Sequence, residues 1–431
     1  MTDLKYTVYT RRWLILLAVM LLDAGSHMVW LTFTPVEYEC AKWMGGEYAN
    51  DPSKLAVYGS ILFPVSFISG FIGAFWFDKY GIYLPMMVGG WSLVPACAFR
   101  VWAAYTPQED ADFRHLLFLI GQGISGVSLA MVSLAPTKVA AVWFPEKERV
   151  LANTLMTMML PFGILFSYVI SPVIIDSLTD SSLSNGHEYD QAFKILMWIY
   201  LAPNVLGAVL LSLFMRWPGT PPTPASGTSM REVYSFLQGI KKSFKNKQFL
   251  LIVSFMTFGI GIIAVLMLQM PNILCPFGYS SGFSSSYAIT ILICSGLVGS
   301  TVVSIIADKT GKIELLCKMC LLPSAAGIWS FLFLGTSEGN QTWLIVSLIV
   351  MGFFSYPLLP LAYELSVETT YPVGPATSAG LNWVLSSLGS LLLSLMMTPL
   401  KKEIGDIEKF FYLFWSKFKF FDYFLRILEM A

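Results

Sequence analysis

Apolar residues along this chain gather into long unbroken runs rather than alternating with polar ones. Runs near 20 residues, roughly the length a helix needs to cross a hydrocarbon layer, lie at approximately 13–35, 55–77, 84–105, 116–140, 151–175, 194–216, 249–271, 286–307, 315–336, 343–363 and 378–399. Each predicts one membrane-spanning helix. A twelfth candidate, "FFYLFWSKFKFFDYFLRILEMA" (410–431), is aromatic and long enough but is interrupted by Lys417, Lys419, Asp422 and Arg426. A charge at mid-bilayer costs about 2.5–3.5 kcal/mol on insertion scales. The tail therefore reads as a degraded span or an interfacial helix. The first run is too long for a signal-peptide core and lacks a small-residue cleavage site, so it is expected to remain as the first span.

Polar residues inside these runs are few, and they fall in a pattern. In "LLDAGSHMVW" (21–30), Asp23, His27 and Trp30 stand at i, i+4 and i+7, with Ser26 and Thr34 close to the same line, so a helix carries them as one stripe. Asp23 sits near the bilayer midplane, where an ionisable side chain faces a cavity or a partner rather than lipid. Three roles are open to the pair: counter-charge for a cation, a shared proton, or a satisfied structural hydrogen bond. Trp30 is either a cation–π wall or an interfacial packing residue. The seventh run holds Gln269, Pro271 and Asn272, and the fifth and eleventh hold Asn153 and Asn382 beside Trp383; these line a cavity or pack helices together.

Composition agrees with a multi-pass membrane protein: of the 431 residues, 55% are hydrophobic and 13% charged, against about a quarter charged in soluble domains. Lys and Arg number 27, as do Asp and Glu, so net charge names no partner, and no nucleic acid is expected. Their distribution is informative. With the N-terminus in the cytoplasm, fifteen basic residues fall on the inner side and seven on the outer, which predicts a cytoplasmic N-terminus. The plasma membrane is favoured over an endomembrane. Three His without metal-ligand spacing predict no metal centre, and no G-x-x-x-x-G-K-[ST] loop supports ATP-driven pumping. Neither a cofactor nor an enzymatic activity is expected. Cys317-x-x-Cys320 lies in an apolar run and reads as packing; Cys40 and Cys275 fall near the outer surface, bridged or free; Asn340-Gln341-Thr342 is a glycosylation sequon on an outer loop.

The chain divides in two. "WPGTPPTPASGTS" opens the longest polar insertion, a linker composition. The expected organisation is a cytoplasmic N-terminus (1–12), a six-helix bundle (13–216), a cytoplasmic linker (217–248), a second bundle (249–400) and an irregular tail (401–431). Across the linker "FDKYG" (77–81) recurs as "ADKTGK" (307–312), an offset of 230, and "FPEKERVLANTL" (144–155) as "YPVGPATSAGLN" (371–382), an offset of 227. Two anchors with one period predict paired six-helix repeats, the layout of secondary transporters. Asp78 with Gly81, and Asp308 with Gly311, are then gating turns, a short carboxylate at a helix end followed by a residue free to reverse the chain. Arg149, Glu364 and Glu368 collect at the same side as a salt-bridge gate or as solvated charges.

With these loop motifs the chain resembles the major facilitator superfamily, and more narrowly solute carrier family 49, the feline leukaemia virus subgroup C receptor-related family. The resemblance rests on "RRW" (11–13), "WLTFTPV" (30–36), "GQGISGVS" (121–128), "APTKVAAVWFPEKERVLANTL" (135–155), "SSGFSS" (280–285) and "YELSVETTYPVG" (363–374). "PPTPAS" together with several of these is most similar to the branch called major facilitator superfamily domain-containing protein 7. It covers residues 10 to about 400 and implies an all-α, twelve-helix, alternating-access carrier, with members connected to haem, choline, ethanolamine or other small amines. In choline-handling relatives an aromatic residue late in the first span helps enclose the quaternary ammonium; Trp30 occupies that place. Leu266, Leu129 and Ser387 stand where the remaining partners would be, leaving a box with one wall.

The function expected is a monomeric secondary transporter in the lipid bilayer, a facilitator or proton-linked carrier of a small organic solute that is amine-bearing or cationic, or haem-related. The rival is a receptor or scaffold that keeps the transporter fold and moves nothing. The midplane stripe separates the two, since a non-transporting relic has no reason to bear its insertion cost.

Overall fold

A computed structural model describes residues 8–50, 52–180, 186–216, 236–280, 286–331 and 340–403. Among these there are eleven helices long and apolar enough to cross a membrane, each overlapping one predicted run. In order the spans are Arg12–Trp30, Leu62–Lys79, Tyr83–Tyr105, Ala111–Ser133, Met159–Leu178, Asp190–Phe214, Lys247–Leu274, Ala288–Thr310, Ile313–Ser330, Gln341–Ser355 continued by Leu358–Thr370, and Pro375–Glu403. The described residues contain no strand, as expected where lipid leaves every backbone group to be satisfied within its own helix. The candidate twelfth span, 410–431, lies outside the described residues.

Two predicted boundaries move. The run at 116–140 breaks at Leu134, and a new helix, Ala135–Trp143, starts with Pro136 in its first turn, a position where the missing N–H costs nothing. The predicted linker also ends in order: Phe236–Lys245 forms a short helix, followed after Asn246 by the seventh span.

In the first half, the first span packs against the fourth, fifth and sixth; in the second, the tenth packs against the eighth and ninth, and the seventh against the eleventh. The halves meet along two seams, second against eleventh and fifth against eighth. Small residues set the spacing. A Cβ at Gly163 would stand 2.2 Å from the Ala24 carbonyl oxygen, one at Gly299 2.0 Å from that of Phe353, and one at Gly380 2.7 Å from the Ala74 Cβ across the second–eleventh seam.

Contacts between the halves close both ends. At the end carrying the N-terminus, Asp78 of the second span accepts a hydrogen bond from the Thr377 hydroxyl of the eleventh and pairs with Lys138 at 3.1 Å. Within the first half, Arg12 pairs with Glu148 at 2.8 Å. At the far end the Ser60 and Ser394 hydroxyls lie 2.9 Å apart, and the Tyr168 hydroxyl donates to the Met267 carbonyl at 2.7 Å. The repeated turns match in conformation: Gly81 has φ +75° and Gly311 φ +67°, the left-handed region that glycine enters without steric cost.

Residues between the first two spans fold into short helices capping the far end. There Trp43 stacks on Phe193 at 4.2 Å, donates to Asp190 at 2.8 Å and lies under Arg114. Cys40 is buried and Cys275 exposed, both as free thiols. Asn340 of the sequon is exposed immediately before the tenth span.

Candidate functional site

The stripe on the first span divides in two. His27 is buried, and its Nδ1 lies 2.8 Å from the Asp23 carbonyl oxygen. A carbonyl only accepts, so Nδ1 carries a proton, and in the neutral ring Nε2 is then an acceptor. That Nε2 has no hydrogen-bond partner among the described residues, although it is buried. One turn later Trp30 donates its indole N–H to the Gly59 carbonyl at 3.1 Å. Its ring stands edge-on to His27 at 6.4 Å and to Phe63 at 5.8 Å. From the other half, the Trp383 ring approaches His27 edge-on at 6.5 Å, and its N–H also lacks a partner among the described residues. Two indoles from opposite halves thus flank one imidazole.

These three rings border a cavity of about 140 Å³ between the halves. Phe63, Leu129 and Ile164 line it from the first half; Met256, Ile263, Met267, Tyr356 and Ser386 are among those lining it from the second. None of the described lining residues is Asp, Glu, Lys or Arg. An apolar, aromatic wall with a few polar atoms is the usual character of a small-molecule site, and here the lining residues supply His27 Nε2, the Trp383 N–H and the Ser386 and Tyr356 hydroxyls, each without a protein partner among the described residues.

Asp23 is not part of that wall. It is 2% exposed and turns toward the fourth span, where the Ser133 hydroxyl donates to Oδ1 at 3.0 Å. His27 Nδ1 stands 3.6 Å from the same carboxylate oxygen. The carboxylate therefore lies behind the imidazole. Thr34 lies beyond the end of this helix, in a 3-10 turn.

Gln269, Asn153 and Asn382 are not among the described residues that line the cavity. Gln269 is half-buried on the seventh span; the side chain of Asn272, on the same span, lies outside the described set. Asn382 is fully buried and donates to the Ser366 hydroxyl at 3.1 Å, a bond between the tenth and eleventh spans. Asn153 is half-buried in the helix Glu146–Thr157, with its Oδ1 unpaired among the described residues. Of the gating set, Asp78 sits at the seam of the two halves, and Gly81 reverses the chain after it in a left-handed conformation. The side chain of Asp308 is outside the described set, and Gly311 closes the matching turn. Arg149 is half-buried with its Nε unpaired among the described residues, Glu364 is half-buried, and Glu368 is exposed.

Arg100 of the third span is 1% exposed and donates to the Val29 carbonyl at 2.8 Å and to Gln122 at 3.1 Å. Gln122 in turn donates to the carbonyls of Val29 and Trp30 at 3.2 and 3.1 Å. These carbonyls end the first span, where the helix dipole is negative, so the buried guanidinium is stabilised there by carbonyl and amide oxygens, with no carboxylate in salt-bridge range among the described residues, and Gln122 holds the backbone of Trp30. A lone Arg inside an apolar run was the available signal. Trp383 was visible as an aromatic residue beside Asn382, but its approach to His27 depends on the halves meeting along the second–eleventh seam.

A sequence profile of the Major Facilitator Superfamily matches residues 9–394. "Solute carrier family 49 member A3" of Danio rerio is 30% identical over 403 residues, covering 92% of this chain and 80% of that protein. The "Choline/ethanolamine transporter flvcr2b" of Danio rerio is 25% identical, covering 87% of this chain and 75% of that protein. Among solved structures, the E. coli fucose:proton symporter superposes with a TM-score of 0.67 at 15% identity, covering 91% of this chain and 92% of that one. The E. coli xylose transporter gives 0.65 at 16%, covering 90% and 92%. At that identity the likeness to both structures is one of fold.

Proposed function

The chain belongs to the Major Facilitator Superfamily and, within it, to solute carrier family 49, a multi-pass membrane transporter rather than an enzyme, and on that premise we propose that it carries a small quaternary or amine-bearing solute of the choline class by alternating access. The observation that carries this reading is the cavity between the halves, walled by Trp30 and Trp383 and free of lining carboxylates among its described residues.

A desolvated ammonium with methyl groups needs aromatic faces more than a counter-ion, and an indole supplies up to about 2 kcal/mol. A primary ammonium would leave N–H groups unsatisfied against such a wall, so the quaternary form fits better. His27 Nε2, bare and unpaired among the described residues, accepts a hydroxyl such as the one choline bears. The volume of about 140 Å³ is below the roughly 300–1,000 Å³ typical of sites for drug-sized ligands, which favours a solute of few heavy atoms over a haem. The choline/ethanolamine transporter named above is a relative with a compatible cargo.

In this reading the Asp78–Thr377 contact is the gate at the end bearing the N-terminus, and Ser60–Ser394 marks the opposite one. The excess of basic residues on that side supports a cytoplasmic N-terminal end. The Asp23–His27 pair, one turn apart with His27 on the cavity wall and Asp23 off it, is where a coupled proton would reside. Purified protein in liposomes should take up labelled choline saturably, and Trp383→Ala should reduce that uptake at least tenfold at sub-saturating solute, on the order of one aromatic face lost. Flat uptake by well-inserted wild-type protein would reject the choline class, and unaltered uptake by the variant would reject this cavity.

A further inference from the structure

We propose that the helix Phe236–Lys245 lies on the membrane surface, binds acidic phospholipid headgroups, and thereby steadies the Asp78–Thr377 contact. The proposal is independent of the solute carried. Its first support is position. One residue, Asn246, separates this helix from the seventh span, and it is tightly fixed: its Oδ1 accepts from the backbone N–H of Gln248 at 3.0 Å and of Phe249 at 3.4 Å, while its Nδ2 donates to the Thr369 carbonyl at 2.7 Å. The helix is thus held at the boundary of the hydrocarbon layer.

Its faces are chemically distinct. Gly239 and Ser243 are buried, and a Cβ at Gly239 would lie 3.1 Å from Val373 Cγ1 and 3.6 Å from Thr377 Cγ2. Phe236 stands edge-on to Phe75 of the second span at 5.4 Å. The other face leaves Leu237 76% and Phe244 41% exposed, with Lys241, Lys242, Lys245 and Lys247 exposed around them. The stretch 236–250, "FLQGIKKSFKNKQFL", contains no Asp or Glu. Protruding apolar side chains interleaved with ammonium groups complement a lipid surface, in which the former enter the acyl boundary and the latter meet phosphates; a soluble phosphate has no use for Leu237 and Phe244. The inward face touches Thr377, whose hydroxyl donates to Asp78, so immobilising this helix restrains the eleventh span at the seam.

The test uses the full chain, solubilised and then exchanged into nanodiscs of phosphatidylcholine with or without phosphatidylserine. Wild type should co-purify with phosphatidylserine in preference to phosphatidylcholine and melt at higher temperature in the acidic discs. The K241Q/K245Q/K247Q variant should retain phosphatidylserine at least tenfold less, given about fivefold per lysine near an anionic surface, and should lose the rise in Tm. The corresponding Lys→Arg variant should keep both. Equal lipid retention by wild type and the Gln variant overturns the proposal, as does a rise in Tm that inorganic phosphate alone reproduces or that survives in the Gln variant. None of these readouts involves solute, so a failed choline assay leaves them interpretable.

Discussion

Asp23 and His27 stand one helical turn apart and meet different surroundings. The imidazole reaches the cavity because its Nδ1 proton is taken by the backbone of its own helix, which leaves Nε2 facing inward; the carboxylate is held by Ser133 on the neighbouring helix. Helical periodicity places side chains on a face but does not say where that face ends. A stripe spanning two turns can straddle the edge between a cavity and a helix contact. Trp30 tests the site at this scale. Replacing it with Ala should weaken choline binding by roughly 30-fold, the equivalent of about 2 kcal/mol for a desolvated cation–π contact, whereas Trp30→Phe should remain within severalfold, read by isothermal titration or scintillation proximity. Equal losses in both variants would mean that the indole N–H bond to Gly59, and not the ring face, matters.

At the scale of the helix, apolar runs, prolines and linker composition located the eleven spans, since a bilayer-crossing segment must satisfy its own backbone groups. They did not show how closely the helices approach. Gly163 lies so near Ala24 that a methyl group would overlap its carbonyl. Gly163→Ala should therefore destabilise the protein by about 1–3 kcal/mol through overpacking, seen as a lower Tm in detergent, while Gly123→Ala, at a position with open space around it, should leave Tm unchanged or raise it. The clamp of Arg100 and Gln122 on the end of the first span is likewise a property of three helices. Its guanidinium stood out in the sequence, but its acceptors are backbone carbonyls, which carry no sequence signature.

For the whole molecule, alternating access requires the two halves to separate at one end while meeting at the other. Ser60 and Ser394 face each other across the far end with 2.9 Å between hydroxyls. The double variant Ser60→Cys with Ser394→Cys should form a disulfide under mild oxidation, abolish uptake, and recover it on reduction; uptake that persists with the bridge verified by mass spectrometry would rule out opening at that end. The internal repeat foretold two matched halves, and the matched left-handed glycines at Gly81 and Gly311 agree with it. Repetition alone could not say which faces of the halves meet. Long apolar runs, paired turns and a polar stripe on the opening helix were determined by the sequence itself, because membrane insertion and turn geometry are local constraints. That Trp383 becomes the second aromatic wall, that Asp23 withdraws behind His27, and that Thr377 closes on Asp78 were decided only by the tertiary structure, because each depends on residues more than a hundred positions apart being brought together by helix packing.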